Sequence, residues 1–384
     1  MPETTLSGLP DTSLQIRSTL EEDGALVIEL AEIAIALPDD DQVVVRVEAT
    51  PINPADLIPL LARADMTSAR FEGTPQRPKV IANLSPDAAK AYTSRVGQPL
   101  AVGLEGAGRV VAAGIGAQAL LGQRVAMLST AGGLFSQYCT LSMAECMALP
   151  EGVTAREGAG LFCNPLTALA IVETLRQMGQ KAMVHTAAAS NLGQMLVRIC
   201  QEDGIALINI VRRHEQVDLL QSIGAEYVCN SGAASFREDL LSALRATGAV
   251  VAFDAIGGGT LASDLLSAME AAATERSRRY SPFGSSEPKW VFIYGRLDPS
   301  PTLVPNRSYG LVWGIDGWAM PSILERAGPA RARELTQRIL ANLTTTFASR
   351  YGREISLAQV LQRDVMLGYS RHATGEKYLI NPWS

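Results

Sequence analysis

Between residues 182 and 294 short apolar runs alternate with longer stretches whose apolar residues recur at helical spacing. No other feature limits the fold of this chain as strongly. The runs are residues 182–186, 206–211, 226–229, 250–255 and 290–294, and the stretches between them read as helices over 192–203, 215–223, 236–246 and 261–273. In the first of these helices Leu192, Met195, Leu196, Ile199 and Cys200 stand at i, i+3, i+4, i+7 and i+8, one apolar face. The runs themselves are apolar almost throughout, as strands covered on both faces must be. Strands alternating with helices in this way specify an α/β fold with a doubly wound parallel sheet.

The chain before this region has a different texture. Residues 42–47 are rich in β-branched side chains and follow the turn-like 38–41, while Pro51, Pro54 and Pro59 rule out a long regular element just after. The run Gly103-Leu104-Glu105-Gly106-Ala107-Gly108 leads into a short strand over 109–114, and 123–127 looks like another. Many short strands separated by glycines indicate a small barrel. Helical spacing begins at 167–178. Beyond Tyr309, residues 311–315 form one more strand, helical sequence runs to about Leu343, and an extended run at 377–380 closes the tail. Residues 277–289 are polar, with Pro282, Gly284 and Pro288, and read as an exposed excursion.

Composition narrows the function. At 47 % hydrophobic and 19 % charged residues, 384 residues can bury real cores, so a disordered chain is excluded. A formal charge of −6 argues against a broad nucleic-acid surface. The 5 cysteines are scattered without a C-x-x-C pair, and with 3 histidines there is little material for a disulfide framework or a metal site. The start of the chain, Met1-Pro2-Glu3-Thr4-Thr5, lacks a basic region ahead of an apolar one, and residues 25–37 are broken by Glu29 and Glu32. These features predict a soluble cytoplasmic protein in a reducing compartment, without a membrane partner.

The stretch that carries chemistry is Val184-His185-Thr186-Ala187-Ala188-Ala189-Ser190-Asn191-Leu192-Gly193. A strand enters a turn of small residues that opens a helix, the place where a dinucleotide pyrophosphate rests on backbone N–H groups. Of the usual glycines only Gly193 is retained, and small-residue turns also serve packing alone. Nineteen residues beyond Gly193, at the end of the next strand, stand Arg212 and Arg213, with no acid there to take a ribose hydroxyl. Paired guanidiniums suit a 2′-phosphate; two solvated arginines are the plain alternative. Two further strand ends, Asp254-Ala255-Ile256-Gly257-Gly258 and Tyr294-Gly295-Arg296, fall at the same sheet edge.

Taken in order, Asn53-Pro54-Ala55-Asp56, the 103–108 run, Gly122-Gln123-Arg124-Val125, Pro165-Leu166-Thr167-Ala168, the 187–193 turn, Ser222-Ile223-Gly224-Ala225 and 254–258 resemble the medium-chain dehydrogenase/reductase superfamily. The likeness is to its zinc-independent NADPH:quinone oxidoreductase branch, which includes zeta-crystallin. The resemblance implies a Rossmann sheet inserted in a GroES-like β-barrel catalytic domain, with the active site in the cleft between them. It divides the chain into 1–160 (GroES-like, first part), 161–343 (Rossmann, NADPH-binding) and 344–384 (C-terminal return). Residue by residue, it implies that Ala189, Ser190, Asn191 and Leu192 hold the pyrophosphate and Arg212 and Arg213 the 2′-phosphate. Thr167 and Asn53 match positions near the nicotinamide end, Tyr294 and Arg296 the strand end beside it, and Thr167, Gly257, Tyr294 and Gly295 are further cofactor-binding candidates; Asn53, Tyr294 and Arg296 are the catalytic candidates.

Departures from the family pattern matter too. Zinc-dependent alcohol dehydrogenases carry Gly-His-Glu where this chain has Gly103-Leu104-Glu105, and their four-cysteine lobe is missing. The branch often places a Tyr after Asn-Pro-x-Asp, but Leu57-Ile58-Pro59-Leu60 follows here, leaving water as the default proton donor. Roughly 25 extra residues between Asp56 and Gly103, among them Arg70, Phe71, Arg77, Lys79 and Tyr92, either shape a substrate pocket or form a surface excursion. The expected activity is NADPH-dependent hydride transfer, without zinc, to a small-molecule quinone, activated carbonyl or alkene, by a homodimer. An enoyl-thioester or enone reductase and a non-catalytic NADPH-binding protein are the alternatives.

Overall fold

The computed structural model describes residues 9–277, 280–306, 308–370 and 377–384. The N-terminal residues Met1–Thr5 and His372, read above, lie outside them. The chain divides into two compact units, residues 1–163 with 343–384, and residues 164–342.

The first unit is built from β1 (Thr12–Leu20), β2 (Ala25–Ala34), β3 (Gln42–Pro51), β4 (Arg70–Thr74), β5 (Arg77–Asn83), β6 (Leu100–Ala101), β7 (Glu105–Ala113), β8 (Arg124–Leu128), β9 (Tyr138–Ser142) and β10 (Cys146–Ala148). One sheet runs β4-β5-β2-β1-β6, and a second runs β10-β8-β7-β3 with β9 also paired to β3. The returning strands Arg353–Ile355 and Tyr378–Ile380 complete the second sheet, the latter antiparallel to the end of β3. Ile16, Leu26, Ile28, Val80, Phe135, Val360 and Ile380 are among the side chains of one core; Val43, Val45, Val110, Val125 and Met127 belong to another.

Two expectations need correction here. The strand expected over 109–114 starts at Glu105, so Gly106 and Gly108 of the glycine run lie within it. Gly106 and Gly108 are there because β3 comes too close for a side chain: a Cβ on Gly108 would collide with the Arg46 carbonyl, and the β3–β7 register shifts on either side of Val45–Val47. Glycine's general depletion from strands hid this. The extra residues after Asp56 are not a loose excursion either. They supply the β4–β5 hairpin, which pairs with β2 from Ala25↔Asn83 to Glu29↔Lys79. They also supply Arg95, whose Nη2 donates to Ser18 O at 3.0 Å and Ser18 Oγ at 2.7 Å.

The second unit holds β11 (Ala182–His185), β12 (Ala206–Val211), β13 (Tyr227–Asn230), β14 (Val251–Asp254), β15 (Lys289–Ile293) and β16 (Trp313–Gly317). Every pairing is parallel and the order is β13-β12-β11-β14-β15-β16. The order in which strands are added reverses between β11 and β14, and in open α/β sheets ligands bind outside the strand carboxyl ends at such a point. β16 begins at Trp313 rather than 311, and Gly314 within it lies under the Trp290 ring, where a Cβ would collide. Residues 155–177, missed in the reading for apolar segments, are long and apolar enough to cross a membrane, but 78 % of their most apolar window is buried.

Candidate functional site

In the second unit the turn after β11 is fixed by short-range constraints. Ser190 caps the helix Asn191–Asp203, its Oγ accepting from Gly193 N at 3.1 Å. Gln194 Nε2 ties back to Ala189 O at 2.9 Å. Ala187 adopts a left-handed φ of +50°, a region where glycine is usual. A Cβ on Gly193 would collide with the Ala188 carbonyl, so this one retained glycine lets the helix press against the turn. The turn thus has alanines in its outer positions and glycine kept where helix and strand touch. A helix start carries N–H groups without intrahelical partners and a positive dipole end, and Asn191 and Leu192 are its first two residues. Replacing Ser190 by Ala should lower the stability of this unit by about 1 kcal/mol, as loss of an N-cap does, read as a shifted urea midpoint.

Asp254, fully buried, organises the neighbouring strand ends. Thr186 Oγ1 donates to its Oδ1 at 2.7 Å, and Ile256 N and Gly257 N donate to its two oxygens at 2.9 and 3.1 Å. Gly257 has φ +81°, and a Cβ on Gly295 would collide with Ala255, so the two turns interlock. Tyr294 is half-buried, and its hydroxyl lies 2.7 Å from His185 Nε2. The carboxyl ends of β11, β14 and β15 therefore bring Thr186, Asp254, Gly257, Tyr294 and Gly295 together, while Arg296 is exposed.

Arg212 and Arg213 follow β12 directly and are exposed. Gln216 Oε1 accepts from both backbone N–H groups, at 3.0 and 3.2 Å, fixing the bend that presents the two side chains. Neither guanidinium has an ion pair among the described residues. Thr167 sits half-buried in the helix Cys163–Gln177.

Asn53 belongs to a buried polar cluster of the first unit. Its backbone N donates to Asp56 Oδ2 at 2.8 Å and its Nδ2 to Glu105 Oε1 at 2.9 Å, while its Oδ1 is buried without a partner among the described residues. Glu105 Oε2 accepts from Phe162 N and Cys163 N at 3.0 and 2.8 Å, and Asp56 Oδ1 from Leu104 N at 2.9 Å. Burial pushes the Asp56 carboxyl up to about 7, against its two N–H donors and the Lys377 charge. Sequence reasoning singled out Asn53 but not Asp56 or Glu105 as its partners, although both stand in the motifs that were quoted. Leu104 contributes only its N–H, and the carboxylate oxygens are taken up by N–H donors. Among the described residues no group of three His, Cys, Asp or Glu side chains could hold a metal ion.

Residues 39–151 match the alcohol dehydrogenase GroES-like domain. The chain is 26 % identical over 212 residues to the mitochondrial enoyl-[acyl-carrier-protein] reductase of Bos taurus, covering 54 % of this chain and 49 % of that one. It is 31 % identical over 166 residues to the highly reducing polyketide synthase lcsB of Purpureocillium lilacinum, covering 42 % of this chain and 6 % of that protein. The chain thus spans about half or less of the curated relatives it matches. Among solved structures, a Mesorhizobium loti protein assigned as an NADPH:quinone reductase superposes with a TM-score of 0.71 at 24 % identity, over 97 % of this chain and 99 % of that one. Escherichia coli quinone oxidoreductase complexed with NADPH gives 0.66 at 17 %, over 97 % and 100 %. The strand order and the GroES-like match together give this chain the fold of these quinone reductase structures, with residues 39–151 forming the part that matches the alcohol dehydrogenase GroES-like domain.

Proposed function

We propose that this protein is an NADPH-dependent oxidoreductase that reduces a quinone, enone or similarly activated small molecule by hydride transfer, without zinc. The observation that carries the reading is the edge of the parallel sheet. A helix start pressed onto a small-residue turn through Gly193 stands one strand away from two exposed arginines without ion-pair partners. The residues present fit a dinucleotide bearing a 2′-phosphate. The first turn of the helix Asn191–Asp203 receives the pyrophosphate, and Arg212 and Arg213 meet the phosphate with charge-assisted hydrogen bonds. When bound, the nicotinamide supplies the hydride.

The chain's own groups then have defined work. The Asp254 lock keeps the strand ends rigid and Gly257 and Gly295 keep the backbone close-packed beneath the ligand. Tyr294 presents a polar tip beside them, and Asn53 and Arg296 remain the other candidates for contact with the acceptor. Zinc independence rests on the donor set, since Leu104 has no ligating atom. Leu311, Val312 and Trp313 are exposed at the start of the edge strand β16, and this edge supports a homodimer. We place the protein in the cytoplasm.

The match to enoyl-[acyl-carrier-protein] reductases favours a second reading, reduction of an enoyl thioester. Steady-state NADPH oxidation with a panel of quinones, enals, enones and crotonyl thioesters tests both. Turnover of quinones and enones supports the first reading, and a thioester preference moves the assignment to the second. NADPH binding without turnover of any acceptor leaves a non-catalytic binding protein.

A further inference from the structure

His185 ends β11 and is completely buried, and its Nε2 is 2.7 Å from the Tyr294 hydroxyl. The two rings lie within 13° of parallel at 5.9 Å. Trp318 packs edge-on to Tyr294 at 6.0 Å and is itself fixed by Nε1 donating to Thr174 Oγ1 at 3.0 Å. The tyrosine ring is thus held by His185 and Trp318, and its hydroxyl has one neighbour that decides what it can do.

Burial holds the imidazole neutral, pushing His185 down to about 3, so one ring nitrogen carries the hydrogen. Nδ1 is buried without a partner among the described residues. A hydrogen on Nδ1 would be an unmet buried donor, costing about 1–3 kcal/mol, and unmet buried N–H groups are rarer than under-used acceptors. We propose that Nε2 carries the hydrogen and donates it to Tyr294 Oη, which leaves the Tyr294 hydroxyl set as a hydrogen-bond donor to a carbonyl oxygen of the ligand at this sheet edge. His185 is the positioning residue of the pair.

This inference rests on the oxidoreductase reading. The carbonyl oxygen belongs either to the acceptor or to the nicotinamide carboxamide, and the chemistry is the same for both. Burial, with Asp254 nearby, raises Tyr294 above its ordinary range, so the hydroxyl donates a hydrogen bond without giving up its proton.

The tautomer is measurable without nucleotide or acceptor. The chain has 3 histidines, so imidazole ¹⁵N spectra are simple to assign. His185 should show the neutral Nε2–H form from about pH 5 to about 9, and an Nδ1–H form overturns the proposal. Tyr294→Phe should then cost about tenfold, the worth of one hydrogen bond of roughly 1.4 kcal/mol. If the loss is in NADPH affinity by nicotinamide fluorescence, the carboxamide is the partner. If NADPH affinity holds and kcat/KM for an enone falls, the acceptor is. His185→Leu should give the same loss, His185→Gln should restore it through its amide N–H, and His185→Leu should add nothing once Tyr294 is Phe. No loss on either arm, or an effect of His185→Leu that persists in the Tyr294→Phe background, overturns the proposal. A wild-type chain that binds no NADPH sinks the oxidoreductase reading instead, while the ¹⁵N spectrum still decides the tautomer.

Discussion

Lys289→Met should destabilise the second unit by about 3–5 kcal/mol, the usual penalty for stranding a buried charge. Lys289 opens β15 and is fully buried. Its Nζ is 2.6 Å from Glu270 Oε2 and 2.7 Å from both Ser285 Oγ and Glu287 O, so all three of its hydrogens are taken. Glu270 in turn accepts from Ser285 N at 2.7 Å. Burial alone would raise the Glu270 carboxyl, but Lys289 and Ser285 outweigh it and hold it below its ordinary 4.5. A carboxyl depressed on folding contributes stability above its unfolded value, and that contribution is lost as pH falls through the lower folded value. Urea denaturation followed by tryptophan fluorescence should therefore show wild type weakening below about pH 4.5, with the acid loss blunted in Lys289→Met. Adding Glu270→Leu should recover much of the penalty, because an apolar pair replaces a buried ion pair at little cost. A single variant as stable as wild type would mean that Lys289 reaches water.

The same residue marks where sequence reading stops. Residues 277–289 read as an exposed excursion, and Tyr280 and Phe283 are indeed exposed. Residues 278–279 lie outside the described ones. The end of the segment, however, is tied inward through Ser285 and Lys289, which polarity along the chain does not reveal because the partner, Glu270, is on a separate helix. The parallel sheet was legible because strands buried on both faces leave apolar runs without alternation. The start of β7 was not, since its glycines answer to β3, far away in sequence. The place of Arg212 at a strand end was legible from a spacing that the βαβ unit itself imposes. His185 passed as one more strand residue, for its meaning comes from Tyr294, 109 positions on. Asn53 was found in its motif, but its links to Glu105 and through it to Phe162 and Cys163 exist only in three dimensions.

The largest effect on ligand binding is expected from the pair of arginines. Replacing Arg212 and Arg213 together by Ala should weaken NADPH binding at least about tenfold while leaving NADH nearly unchanged. A 2′-phosphate carries up to about two negative charges, and a charge-assisted hydrogen bond contributes about 1.5–3 kcal/mol before ordering costs. Both side chains stand at the end of β12 without ion pairs among the described residues, so their charge is not already spent. Their backbone N–H groups are occupied by Gln216, so the bend should survive the change of side chain. NADH offers a hydroxyl where NADPH offers the phosphate, so it has little to lose. Raising the salt concentration should narrow the wild-type preference, because exposed charges are screened within about 10 Å at 0.1 M. Titration of both cofactors by nicotinamide fluorescence reads all of this. Equal weakening of NADPH and NADH would assign the arginines to the general field of the unit. Equal wild-type affinities would remove the 2′-phosphate from this strand end altogether.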